Sequence, residues 1–78
     1  MKSIYSPEST RFCRWLRDQR RAKGLTMRDV AKIIDKPHTF IAKVEEGQRR
    51  LDVVEYLWYC DKLELDPHLG LEFIQTYS

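Results

Sequence analysis

Between Gly24 and Gly47 the chain carries two apolar patterns of helical spacing, separated only by Asp35, Lys36 and Pro37. Val30, Ala31, Ile33 and Ile34 form the apolar side of the first pattern, and Phe40, Ile41 and Val44 that of the second. Thr26 is an N-cap residue, and Asp29 three positions on gives a shortened capping box, so a helix is predicted over Met27 to Ile34. Asp35 and Lys36 make a tight turn. Pro37 suits the first position of the next helix, predicted to run to about Glu46 before Gly47 closes it. A turn this short prevents two helices of about eight residues from lying parallel. They must cross steeply, and Ala31 is small enough to let the second helix come close.

The flanks read as further helices. Ser6, Pro7 and Glu8 give a cap, a first-turn proline and an acidic first turn, which starts a helix predicted to reach about Lys23. Phe12, Leu16 and Gln19 or Arg20 share one face, with Cys13 and Trp15 beside it, and Arg11, Arg14, Arg17 and Arg21 are spread over the rest. Gly24 supplies the left-handed close. After the basic loop "GQRRL", Asp52 caps a fourth helix in which Val53, Tyr56, Leu57, Cys60 and Leu63 form a stripe expected to be buried. Trp58 and Tyr59 fall at its margins. Asp66 and Pro67 start a fifth helix with Leu69, Leu71, Phe73, Ile74 and Tyr77 apolar around much of it. Gly70 weakens that helix by about 1 kcal/mol relative to alanine, so it is expected to lean on a partner surface. No segment alternates with period two. The expected fold class is therefore all-α, with five helices in one domain over residues 1–78.

A chain of 78 residues can bury only a modest core. At this length roughly 60% of the unfolded surface is removed from water, and a homodimer is a common way to remove more. No apolar run approaches a membrane span, and Met1 to Tyr5 lack the apolar centre of a signal peptide, so a cytoplasmic location is expected. Cys13 and Cys60 form no CxxC pair, and His38 and His68 stand at no ligand spacing from them. Packing thiols are expected, with no metal and no cofactor. Charge is more informative when the chain is divided. Residues 1–43 hold eleven Lys and Arg against four Asp and Glu, and residues 44–78 three against eight, a split of +7 and −5. One pole is suited to a polyanion, although charged runs are also ordinary solvated helix faces.

The run "LRDQRRAKGLTMRDVAKIIDKPHTFIAKVEEGQRRLDVVEYLWYCDKLELDP", residues 16–67, resembles the DNA-binding domain of phage repressor, Cro and Xre-type regulators, a lambda-repressor-like helix-turn-helix fold. Leu16, Arg20, Gly24, Leu25, Thr26, Ala31, Ile34, Ile41, Lys43, Val44, Glu45, Gly47, Leu63 and Leu65 carry the resemblance at fixed spacing. It implies a helix-turn-helix made by the second and third helices, with the third entering the major groove of double-stranded DNA. It also implies that Ala31 and Ile41 pack where those helices cross, and that Arg20 and Glu45 form a structural salt bridge.

On the same resemblance His38, Thr39, Ala42 and Lys43 face base edges, with Phe40 close by. Lys43 can donate to guanine O6 and N7, and Ala42 or the Thr39 methyl can touch a thymine methyl. Thr26, Arg28, Lys36, Arg49 and Arg50 are the expected phosphate contacts. Three positions depart from the family pattern: Met27 where glutamine is frequent, Asp35 where glycine is usual in the turn, and Glu46 where asparagine is frequent. Asp tolerates the left-handed backbone, so the turn can survive.

The function expected is a small sequence-specific transcriptional regulator, a repressor or autoregulator acting as a homodimer. Trp58 and Tyr59, with Leu69, Phe73 and Tyr77, are the candidate dimer surface; the alternative for these aromatics is that they complete a small core. A protein-interaction module, such as the antitoxin partner of a toxin, is the competing class. An enzyme has the least support, because no nucleophile and base arrangement, phosphate loop or metal spacing can be read.

Overall fold

A computed structural model describes residues 7–72. Within them the chain forms α1 (Pro7–Ala22), α2 (Met27–Ile34), α3 (His38–Glu45), α4 (Val53–Leu63) and α5 (Pro67–Glu72), with no strand among the described residues. The cap expected at Ser6, the lead over Met1 to Tyr5, and Phe73, Ile74 and Tyr77 lie outside the described residues. None of the described helices is long and apolar enough to cross a membrane.

Local chemistry explains where each helix starts and stops. The Thr26 hydroxyl accepts from the Asp29 N–H at 3.1 Å, and the Asp29 carboxylate accepts from the Thr26 N–H at 2.9 Å, so both halves of the α2 capping box are made. The same reciprocal pair recurs at α4, with Asp52 accepting from the Glu55 N–H at 2.7 Å and Glu55 from the Asp52 N–H at 3.0 Å. Pro37 lies one residue outside α3 as its N-cap, with ψ of 150°, and no side chain caps that helix.

Four helices end in one way. Leu25, Lys36, Gln48 and Leu65 each donate a backbone N–H to the carbonyl five residues back, closing α1, α2, α3 and α4 around Gly24, Asp35, Gly47 and Glu64. The four closing residues have φ of 73°, 58°, 81° and 59°. Glycine enters this region without steric cost, whereas Asp35 and Glu64 hold it against the usual preference of residues with a Cβ. Leu25 and Leu65, just past their closing residues, pack against the core, as the apolar contact of this motif requires.

The core lies where α1 to α4 converge. Leu16, Val30, Ile34, Ile41, Val44, Tyr59 and Cys60 are each less than 2% exposed. Fully burying one aliphatic side chain contributes about 1.5–3 kcal/mol, so these residues outweigh the caps, each worth about 1 kcal/mol. α2 packs on α3 and α4, α1 on α3 and α5, and α5 on α4. Ile33 is 40% exposed and stands apart from the buried side of α2.

The inward face of α4 differs from the stripe expected of it. Tyr56, Tyr59, Cys60 and Leu63 are buried, whereas Val53 and Leu57 are exposed. Both sets obey the i, i+3, i+4, i+7 spacing, one counted from Val53 and one from Tyr56. Contacts with α2 on one side and α5 on the other select the second. Tyr59, placed at the margin and on a candidate dimer surface, is therefore corrected: at 1% exposure it belongs to the core. Trp58 packs partly buried against that core, and Leu69 is 46% exposed.

Gly70 is also reinterpreted. A Cβ built there would lie 2.7 Å from Trp15 Cζ3 and closer still to Tyr56 Oη. The short helix α5 does lean on a surface, that of α1 and α4, and glycine is what permits the approach.

Candidate nucleic-acid interface

Helix α3 is held from behind. Arg20 on α1 donates from Nε to Glu45 Oε2 at 2.8 Å and from Nη2 to Glu45 Oε1 at 3.1 Å, while its Nη1 donates to the Leu25 carbonyl at 2.9 Å. The two side chains are 9% and 2% exposed. One guanidinium thus ties α1, the turn before α2 and the end of α3 together, and the hydrogen bonds it donates to Glu45 raise its already high pKa. Tyr59 packs nearby, where burial and the Glu45 charge push its phenol pKa up.

With Ile41, Val44 and Glu45 turned inward, the opposite arc of α3 presents His38, Thr39 and Lys43 exposed and Ala42 half-buried. Among the described residues no side chain covers this arc with a hydrogen bond or ion pair that would have to be broken. Phe40 differs from its neighbours. Its ring is half-buried against the core, with the Arg49 guanidinium 4.8 Å and Lys36 Nζ 5.8 Å from its centroid. It sits on the flank of α3 and holds two cations; it does not share the open arc.

Cations border the arc on both sides. On one, Thr26, Arg28, Asp29, Ala31, Lys32 and His38 line an open groove between the starts of α2 and α3. The Thr26 N–H is already given to Asp29, whose carboxyl is held below the usual range by the Thr26 backbone N–H and hydroxyl. Thr26 is thus engaged with Asp29 through both its N–H and its hydroxyl, and Arg28 and Lys32 are the exposed cations there. Lys32 was not singled out in the sequence, although its place four residues after Arg28 on the same helix was a usable signal.

On the other side stand Lys36 and Arg49, both over the Phe40 ring, while Arg50 follows in the loop and lines a pocket with Phe12, Val53, Tyr56 and Leu71. Lys36 Nζ lies 5.9 Å from the Trp58 ring centroid as well as over Phe40. Arg49 is committed within the chain: its Nη2 and Nη1 donate to Glu55 Oε2 and Oε1 at 2.8 and 3.3 Å, and Nη1 also donates to the Arg50 carbonyl. The Arg49 guanidinium, with the Asp52 N–H, keeps the Glu55 carboxyl below the usual range. Arg50 remains exposed with its side chain outside these bonds.

Among the described residues no group of three or more His, Cys, Asp or Glu side chains could hold a metal ion, and Cys13 and Cys60 are both buried free thiols. Burial raises the pKa of each, which keeps them in the thiol form.

Residues 16–55 match the family described as Helix-turn-helix. The match spans the end of α1, α2, α3, the basic loop and the start of α4, which includes every residue of the open arc and both of its borders. It stops at Glu55, short of the Pro67 to which the sequence resemblance extends. No curated protein matches the chain at a significant level.

Proposed function

The chain belongs to the Cro/C1-type helix-turn-helix family of DNA-binding regulators, and from that premise we propose that it is a sequence-specific reader of double-stranded DNA, a small repressor or autoregulator acting as a homodimer. The observation that carries this reading is the open arc of α3, His38, Thr39, Ala42 and Lys43, with Arg28 and Lys32 on one border and Lys36 beside Phe40 on the other; Arg50 is exposed in the loop that follows α3. An α-helix fits the major groove, and the bordering cations then fall where the phosphates run on either side. Base readout is assigned to His38, Thr39, Ala42 and Lys43. Phosphate contact is assigned to Thr26, Arg28, Lys36 and Arg50.

Val53 and Val54, 73% and 75% exposed, add apolar surface next to the basic loop, with Leu57 one turn further along α4. That surface supports a self-associating protein, with Leu69 on α5 as a further apolar contributor. It equally suits a second protein such as a toxin, the competing role.

Two substitutions test the assignment. Lys43→Ala should cost about 1–3 kcal/mol at the preferred site and relax base preference, whereas Arg50→Ala should weaken binding to all sequences alike and lower the salt slope by about one unit. Titration of both variants against a preferred and a random duplex checks this. Identical losses on the two duplexes for both variants would contradict the separation of readout from anchoring.

A further inference from the structure

We infer that Arg49 and Glu55 form a positioning pair that sets α3 relative to α4, and that Arg49 is therefore a strut of the interface and no phosphate ligand. The inference rests on the DNA-reading function proposed above. Its observations are geometric. Glu55 takes both terminal nitrogens of Arg49 and, with the same carboxylate, the Asp52 N–H that starts α4. The Arg49 guanidinium then covers the Phe40 ring of α3 at 4.8 Å, and Lys36, in the turn before α3, lies over that ring from its own position at 5.8 Å. One bidentate ion pair thus links the start of α4, the basic loop and the flank of the recognition helix.

The donors decide the role. A guanidinium has five N–H groups in a rigid fork, and Arg49 gives three of them, two to the Glu55 carboxylate and one to the Arg50 carbonyl. A phosphate would have to compete with a carboxylate already in place, and Glu55 would then face the polyanion without its partner. Arg50, whose carbonyl is held by Arg49, has its backbone fixed and its side chain exposed. The pair fixes the loop backbone at Arg50 and keeps α3 at one angle.

The test measures affinity from 50 to 200 mM salt for a selected site and a random duplex, using the full chain and the variants Arg50→Ala, Arg49→Lys and Glu55→Gln, each checked for its melting transition. Arg50→Ala is expected to lower the salt slope by about one unit on both duplexes. Glu55→Gln and Arg49→Lys are expected to lose about tenfold or more on the selected site, the scale of a charge-assisted hydrogen bond, with the slope and random-duplex affinity unchanged.

Lysine keeps the charge but cannot form the fork or lie flat on Phe40, so retained site affinity in Arg49→Lys would overturn the inference. So would a steeper slope in Glu55→Gln, the signature of an Arg49 released to bind phosphate. Both of those outcomes leave site-specific binding by the parent chain intact. Absence of any preferred site for the parent chain would instead overturn the DNA-reading function and the inference with it.

Discussion

Arg20→Ala is expected to remove about 3–5 kcal/mol of folding stability, the cost of breaking a buried ion pair by deleting one partner. For a domain of this size that corresponds to a fall of roughly 12–40 °C in melting temperature. Glu45, 2% exposed, would keep a carboxylate out of water with no cation, and the Leu25 carbonyl would lose its donor as well. The pair itself need not be strongly stabilising. Replacing both members by apolar residues of similar size, Arg20→Met with Glu45→Leu, should recover much of the loss, because it is the unpaired charge that is costly. Chemical and thermal unfolding of the single and double variants checks both statements. A single variant within a few degrees of the parent would show that Glu45 finds water or another donor.

Gly70→Ala is expected to destabilise the chain by about 1–3 kcal/mol, the range for overpacking a close contact. Helix propensity alone predicts the opposite sign, with alanine favoured by about 1 kcal/mol. Sterics decide, because the new methyl would meet Trp15 Cζ3 at 2.7 Å and Tyr56 Oη at still shorter range. Neither ring has room to give way: Trp15 is 6% exposed, and the Tyr56 hydroxyl is anchored by donating to the Pro67 carbonyl at the start of α5. Denaturant unfolding reads the sign directly. A variant more stable than the parent would mean that α5 shifts outward at little cost.

These two cases mark where the sequence is legible. Caps and closing glycines act within four residues, so Thr26, Asp52, Gly24 and Gly47 could be read from spacing alone. Glu64 could not, because glutamate carries no preference for the left-handed backbone; the Leu65 N–H bond to the Cys60 carbonyl and the packing of Leu65 accompany it there. The face of α4 was ambiguous for a different reason. Two registers share Tyr56, Cys60 and Leu63, and only the neighbours α2 and α5 turn Tyr59 inward and leave Val53 and Leu57 out.

The interface shows the same division. The open arc of α3 follows from helical periodicity once Ile41 and Val44 are known to be buried. Arg20 and Glu45, twenty-five residues apart, were reachable only through family resemblance. The Arg49 and Glu55 pair was missed, because an arginine in a basic loop reads as a free cation until the fold brings an N-terminal carboxylate of α4 beside it. Phe40 was grouped with the base-facing residues for a similar reason: its exposure depends on the loop that folds over it.

The central claim is that α3 reads DNA sequence, and the most direct measurement is selection of bound sites from a random duplex library, with affinity for the best site followed from 50 to 200 mM salt. The account predicts an enriched inverted repeat with half-sites about 34 Å apart, the spacing of two recognition helices on one face of the duplex. Affinity should fall by roughly 10³ to 10⁵ across that salt range for six to ten phosphate contacts. A library that emerges with no enriched sequence would contradict the account and turn the exposed face of α3 toward a protein partner.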